Sequence, residues 1–315
     1  MVKTSMNSKR VVVTGGAGFI GSNLVRALSG DNHVVVVDDL STGHIENIQD
    51  LIDDEKIEFI EGSITDLSLL QKTFNGADFV FHEAAVTSVP RSVKDPVRSN
   101  CVNVNGTLNV LLAARDNSVE KVVYASSSSV YGDTPTLPKR EDMPPCPLSP
   151  YAVSKLVGEY YCKVFTGVYG LKTVSLRYFN VYGPWQDPAG DYAAVIPKFI
   201  TNVLADKPPV IYGDGEQTRD FTFVEDVVNA NVLAAENSVT GVLNIACGQR
   251  VSVNNLAGLV TRVVGRDLDP VYDSPQPGDI RHSLADISKA KHELNYEPRF
   301  NLTEGLEEEV KWFQK

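Results

Sequence analysis

Tyr151 and Lys155 stand four apart in this chain, and their types and spacing are its strongest chemical signal. On a helix, positions i and i+4 share a face, so this phenol and ammonium lie within reach of each other. A nearby cation favours phenolate and draws a tyrosine towards acting as a base near neutral pH. Upstream runs Ser126-Ser127-Ser128-Ser129-Val130-Tyr131-Gly132, whose hydroxyls offer a hydrogen bond to the same substrate oxygen. On these residues alone, an amphipathic helix that merely carries a Tyr and a Lys is the alternative.

The elements that must position these groups are legible in the surrounding pattern. Ser149 fits a helix N-cap, and Pro150 the first helical position, where its missing N–H would be unpaired anyway. Lys121–Ala125 (KVVYA) reads as a strand, with Ser126–Ser129 at its carboxyl end. Near the N-terminus, Arg10–Thr14 (RVVVT) is a β-branched run of the kind buried on both faces. It leads into Gly15-x-x-Gly18-x-x-Gly21 and then a helical stretch. Strand, glycine turn and helix together form a dinucleotide-binding context, with the pyrophosphate on the helix N-terminus. The next strand, His33–Val37, ends in Asp38. A carboxylate there binds ribose hydroxyls and repels a 2′-phosphate, which favours NAD over NADP. A solvated turn at Asp38 and Asp39 is the plain alternative.

Alternation of strand and helix continues through a strand at Lys56–Glu61, a helix start at Asp66 and a strand at Ala77–His82. Glu83-Ala84-Ala85 follows, with small residues that let backbone lie against a cofactor. Pro96–Asn117 reads as one long helix carrying Asn103, and Thr173–Arg177 as the next strand. Ligands of open parallel sheets bind beyond the carboxyl ends of the strands, so the glycine loop, the serines and Tyr151 should converge on one crevice. The fold class is therefore α/β, a doubly wound parallel sheet with a smaller C-terminal substrate lobe. Residues 1–177 are mainly the nucleotide-binding part. Residues 178–315 are mainly the substrate lobe, where alternation gives way to Pro- and Gly-rich loops. Asn301–Lys315 reads as a capped amphipathic helix with Leu306, Val310 and Phe313 on one side.

Bulk properties narrow the function. The 315 residues are 43% hydrophobic and 22% charged, with a net charge of −11. That charge argues against nucleic acid or an anionic membrane surface as the main partner. Four cysteines lie far apart and read as small hydrophobes in a reducing compartment. Five histidines show no metal-ligand spacing, so no metal is expected. The polar start MVKTSMNSKR lacks the apolar core of a signal peptide, and no apolar run approaches the ~18 residues of a membrane span.

Taken together, the GxxGxxG turn, the serine-rich strand end and YxxxK resemble the extended short-chain dehydrogenase/reductase family. Arg177-Tyr178-Phe179-Asn180, Tyr182-Gly183-Pro184 and Arg219-Asp220-Phe221 resemble its nucleotide-sugar branch. Within that branch the chain is most similar to UDP-hexose 4-epimerases, especially those accepting UDP-N-acetylhexosamines. The resemblance implies a Rossmann sheet, a chain that crosses between the two lobes more than once, NAD as a bound cofactor, a UDP-sugar substrate, a cytoplasmic setting and a homodimer formed through the helices at 96–117 and 150–170. It implies that Tyr151 removes the proton of the sugar 4-hydroxyl while Ser127 holds the same oxygen. Hydride then passes from C4 to NAD and returns to the other face of a 4-keto sugar. Lys155 would also bind the nicotinamide ribose.

Carried over position by position, the resemblance adds further contacts. With Gly15, Gly18, Gly21, Asp38, Asp39, Glu83, Ala84 and Ala85, it assigns Phe19, Ile20, Ser41, Thr42, Gly43, Ser63, Ile64, Asn103 and Phe179 to the cofactor. It assigns Ser128, Asn180, Val195, Val210, Tyr212, Arg219, Asp279 and Ser283 to the substrate. Arg219 would clamp the diphosphate, its planar fork suiting phosphate oxygens. Ser283 would gate the sugar pocket, its small size leaving room for an N-acetyl group. Gln276 departs from the pattern, because the family often has a second diphosphate arginine there; Arg281 and Arg250 are the candidates to compensate. The related dehydratases carry an Asp-Glu pair where this chain has Ser128-Ser129, and hydroxyls cannot replace those acid and base groups. A UDP-glucuronate 4-epimerase, a decarboxylase and a non-catalytic NAD-binding protein of the same fold are the alternatives.

Overall fold

The computed structural model describes residues 6–189, 194–275 and 280–315. Seven strands form its central sheet: β1 Arg10–Thr14, β2 His33–Asp38, β3 Ile57–Glu61, β4 Phe79–His82, β5 Lys121–Ser127, β6 Lys172–Tyr178 and β7 Gly241–Ile245. Their order is β7-β6-β5-β4-β1-β2-β3, and every pairing is parallel. A parallel sheet must be covered on both faces. Here Val11 and Val13 of β1 join one buried apolar cluster, and Val12 between them joins the other. The first face is covered by the helices Phe19–Leu28, Val224–Glu236 and Ser288–Leu294, the second by Leu67–Thr73, Thr107–Asp116 and Pro150–Tyr169.

A third cluster makes the smaller lobe. It joins Phe199 and Ile200 of the helix Val195–Leu204, Leu256 and Val260 of the helix Val253–Val264, and Leu306 and Val310 of the helix Leu302–Phe313. The last of these helices opens with a reciprocal cap between Asn301 and Glu304. After this lobe begins, the chain returns to the sheet to supply β7 and two of the covering helices.

Most element ends fall within two residues of the pattern. β3 and β4 start one and two residues later than expected, and β5 and β6 run on to Ser127 and Tyr178. The expected Pro96–Asn117 helix is not uniform. It forms α-helix over Pro96–Asn100, a π-helical turn over Cys101–Gly106, then α-helix over Thr107–Asp116. The widened turn carries Asn103, whose side chain accepts from the Val86 N–H (2.8 Å) and donates to the Val86 carbonyl (3.1 Å) and Ser154 Oγ (3.0 Å). Such π turns collect at functional sites. This one pins the loop that follows β4.

The helix that carries Tyr151 and Lys155 is fixed at both ends. Ser149 Oγ accepts from the Ala152 N–H (3.1 Å), Pro150 occupies the first turn, and Gly170 closes the helix with φ +74°.

Candidate active site

β1 and β4 are neighbours in the sheet, but the chain leaves them in opposite directions across it, so a crevice opens beyond their carboxyl ends. A cavity of about 630 Å³ occupies that crevice. Gly15, Gly18 and Gly21 line it, as do Phe19, Ile20, Asp39, Ser41, Thr42, Gly43, Ile64, Ala84 and Ala85, all expected at the cofactor. Two of the glycines are required by contact. A Cβ on Gly15, whose φ is +75°, would lie 2.5 Å from the Ala84 nitrogen, and one on Gly21 would lie 2.1 Å from the Gly15 carbonyl oxygen. The helix Phe19–Leu28 that follows has no side-chain cap, which leaves its first N–H groups for an anion.

Asp38 sits at the end of β2 and also lines the cavity. It accepts from the N–H groups of Ala17 (3.0 Å) and Leu40 (2.9 Å), while burial raises its pKa. A carboxylate offers about four acceptor positions, so two backbone bonds leave capacity for ribose hydroxyls. An uncapped helix, a glycine turn and this carboxylate fit a dinucleotide without a 2′-phosphate.

Four residues expected at the cofactor are not part of this lining: Phe179, Asn103, Ser63 and Lys155. Phe179 is fully buried in the core, so its side chain presents nothing to the cavity. Asn103 is buried and occupied with Val86 and Ser154, which makes it a brace for the loop rather than a contact. Ser63 accepts from Thr65, while its neighbours Gly62 and Ile64 take the positions on the cavity wall.

Tyr151 and the serines meet at the deep end. Ser127, Ser128 and Tyr151 all line the cavity, and the Ser127 hydroxyl is near enough to the Tyr151 phenol to favour its ionised form. Ser126 is unavailable to that phenol, because its hydroxyl donates to Glu159 Oε1 (2.5 Å). Glu159 in turn forms a buried two-bond pair with Arg177, at 2.8 and 2.7 Å. Among these hydroxyls, Ser127 is the one that acts on Tyr151.

Lys155 corrects the simple picture of an ammonium beside a phenol. Its Nζ donates to the Ala125 carbonyl (2.7 Å) and lies over the Tyr124 ring (5.1 Å). Burial lowers its pKa to about 8, against the opposing pull of the Glu83 carboxylate. Burial also raises the pKa of Tyr151; the Ser127 hydroxyl lowers it, and the Glu83 charge adds to the rise. The protein alone thus places Tyr151 above its ordinary value, because burial and the Glu83 charge outweigh the Ser127 hydroxyl.

Glu83 was legible only as backbone near the cofactor, yet its side chain matters. It accepts from the Tyr178 hydroxyl (2.9 Å), which also bonds Asn231 (3.0 Å). Burial raises its pKa to about 7, opposed by the Tyr178 bond and by Lys155.

A second cavity of about 600 Å³ opens in the smaller lobe. Val195, Val210, Tyr212 and Arg219 line it, as expected for the substrate. Asn180 lines both cavities and so marks their junction. Its φ of +32° is one that asparagine tolerates better than most residues, and its Nδ2 donates to the Asp220 carbonyl (3.0 Å). Ser283 is not in the described lining of either cavity; its N–H donates to the Thr218 carbonyl (3.0 Å), beside Arg219. Asp279 and Gln276 lie outside the described residues. Arg281 lies in neither described lining and pairs with Asp214 through two bonds of 2.7 and 2.9 Å. Arg250 is exposed and lies in neither described lining.

Known proteins share this arrangement. The model of the NAD dependent epimerase/dehydratase family matches residues 11–246. UDP-glucose 4-epimerase of Mycolicibacterium smegmatis is 42% identical over 310 residues, which cover 97% of this chain and 98% of that protein. The structure of a UDP-N-acetylglucosamine 4-epimerase from Methanobrevibacter ruminantium, in complex with UDP-N-acetylmuramic acid, superposes with a TM-score of 0.95. It is 45% identical and covers 98% of this chain and 99% of that one. UDP-glucose 4-epimerase of Thermotoga maritima with UDP-glucose gives a TM-score of 0.92 at 40% identity, over 97% and 98% of the two chains. With likeness over almost its full length and a cavity that fits the dinucleotide, this chain belongs to the NAD dependent epimerase/dehydratase family and takes NAD as its cofactor.

Proposed function

We propose that the protein is a UDP-sugar 4-epimerase, an isomerase, and that UDP-GlcNAc and UDP-GalNAc are its preferred pair. The observation that carries this reading is the Ser127–Tyr151 pair in the dinucleotide cavity, joined through Asn180 to the cavity that holds Arg219. A sugar reaching from one cavity into the other puts its reacting carbon near both the base and the cofactor. Tyr151 takes the proton of the 4-hydroxyl, and Ser127 holds that oxygen. Bound NAD supplies the group that accepts the hydrogen of C4 and returns it. Lys155, seated on the Ala125 carbonyl, keeps positive charge beneath the site. Arg219 and Asn180 hold the diphosphate, and Val210 and Tyr212 the uridine.

The N-acetylated pair is favoured by the Methanobrevibacter relative and by the small Ser283. The exposed apolar residues Val97, Val153, Tyr160 and Val164 on the helices at 96–116 and 150–169 support a homodimer, and four free cysteines support a cytoplasmic setting. A panel of UDP-sugars incubated with the purified protein and no added NAD, followed by chromatography of the products, tests the reading. Interconversion of UDP-GlcNAc and UDP-GalNAc is expected; a protein that converts only UDP-glucuronate, or nothing, contradicts it. In the same panel Ser283→Tyr should suppress the acetylated sugars and spare the plain ones, and equal loss of both would count against the gate.

A further inference from the structure

The strand order fixes which end of a dinucleotide meets which strand. Asp38, suited to ribose hydroxyls, ends β2, and the glycine turn suited to the pyrophosphate follows β1. A cofactor laid across β2 and then β1 puts its nicotinamide half over the next strands, β4 and β5. Glu83 directly follows β4, Ser127 ends β5, and both line the same cavity as Tyr151. The Glu83 carboxyl therefore stands at the nicotinamide end, where its charge acts on both Tyr151 and Lys155. It is held in place there. Its N–H donates to the Thr14 carbonyl (3.0 Å), its Oε1 accepts from the Tyr178 hydroxyl (2.9 Å), and Asn231 Nδ2 donates to that hydroxyl (2.8 Å). Among the described residues no Lys or Arg forms an ion pair with this carboxyl. Lys155 is seated on the Ala125 carbonyl, and burial keeps the adjacent His82 neutral by taking its pKa down to about 3.

We propose that Glu83 sets the redox poise of the bound NAD, its carboxylate favouring the oxidised, cationic nicotinamide over the reduced, neutral one. The proposal rests on the cofactor and not on the choice of sugar. An oxidised nicotinamide ring carries one positive charge, and accepting a hydride, a hydrogen with its electron pair, leaves the ring neutral. A carboxylate nearby attracts the first state and not the second, and in a partly desolvated site that difference is large. Glu83 acts through this field and gives up no proton or electron in the step. In an enzyme that must hand its hydride back, such a charge shortens the life of the reduced state, when an oxidised substrate can escape.

Chemical reduction of the NAD-bound protein tests this without any substrate. Dimethylamine–borane is a neutral hydride donor, so removing a charge from the cavity does not change its local concentration. Its reaction is followed by the near-ultraviolet absorbance of the reduced ring, per bound cofactor, at about pH 8, above the Glu83 pKa of about 7. Glu83→Gln, which keeps an acceptor for Tyr178 and loses only the charge, should be reduced roughly fivefold to tenfold faster than the wild type. Glu83→Asp, which keeps the charge, should stay near the wild-type rate. Glu83→Met serves as a second neutral variant should the glutamine protein hold too little cofactor, and it should also be reduced faster. Wild-type or slower reduction in the neutral variants would overturn the proposal. So would an aspartate variant reduced as fast as the neutral ones, because shape and not charge would then set the rate.

Discussion

The two cavities that meet at Asn180 are built on opposite principles. Among the described residues, the dinucleotide cavity carries Asp38, Asp39, Glu83 and Asp187 against Arg91 alone. The described lining of the substrate cavity carries Lys198 and Arg219 and no carboxylate. In the first, the lining is largely backbone: a glycine turn and an uncapped helix offer N–H groups, and a strand end offers the Asp38 carboxylate. In the second, the lining offers side-chain charge set on one helix and a pair of short strands. The contrast predicts that each cavity can be damaged without the other, and that only groups at their junction affect chemistry alone.

Tyr151→Phe should have the largest effect. Turnover is expected to fall about 10³-fold, the range of a lost general base, while NAD content and UDP affinity stay as in the wild type. Loss of either ligand in that variant would mean the phenol belongs to binding. Gly15→Ala should come next, because its Cβ would press on the Ala84 backbone. NAD retention after gel filtration should drop roughly a hundredfold, with UDP binding preserved. Arg219→Ala should do the reverse, weakening UDP by about tenfold or more with NAD content unchanged, as calorimetry would show.

The smallest effect concerns stability of the substrate lobe. Glu309 is buried in that lobe, and burial raises its pKa to about 8, with the Gly183 N–H opposing. A carboxyl whose folded pKa is raised stabilises fully below its unfolded value, near 4.5, and loses that stability as pH rises through 8. The wild-type melting temperature should therefore fall between about pH 5 and 8, and Glu309→Gln should remove part of the fall and melt several degrees higher at pH 8. Identical melting curves for the two proteins at pH 8 would show that the carboxyl is hydrated.

What the sequence disclosed follows the same division. The dinucleotide half was legible because its chemistry is backbone geometry, and backbone geometry leaves glycines and β-branched runs at fixed spacing. Gly15, Gly21 and Asp38 stand where that spacing put them. Side-chain partnerships were not legible. Asn103 and Phe179 fall inside matching motifs, yet one braces a loop and the other fills the core. Lys155 sits four residues from Tyr151 as expected, but a carbonyl on β5 claims its ammonium, and no spacing along one helix reveals what a neighbouring strand will offer. Glu83 looked like a spacer before two alanines, and only the fold brings Tyr178 to it. Lys198 carried a signal in principle, since Val195, Lys198 and Asn202 share a helical face, but nothing in that spacing says the face looks into a cavity.

The account turns on reversible oxidation at the sugar's fourth carbon, with the hydrogen kept inside the protein. UDP-GlcNAc carrying deuterium at C4, incubated with the protein in ordinary water and followed by mass spectrometry, measures this directly. The label should be found at C4 of both epimers at equilibrium. Epimerisation with the label washed into water would mean proton abstraction from carbon, and the roles given to Tyr151 and NAD would then be wrong.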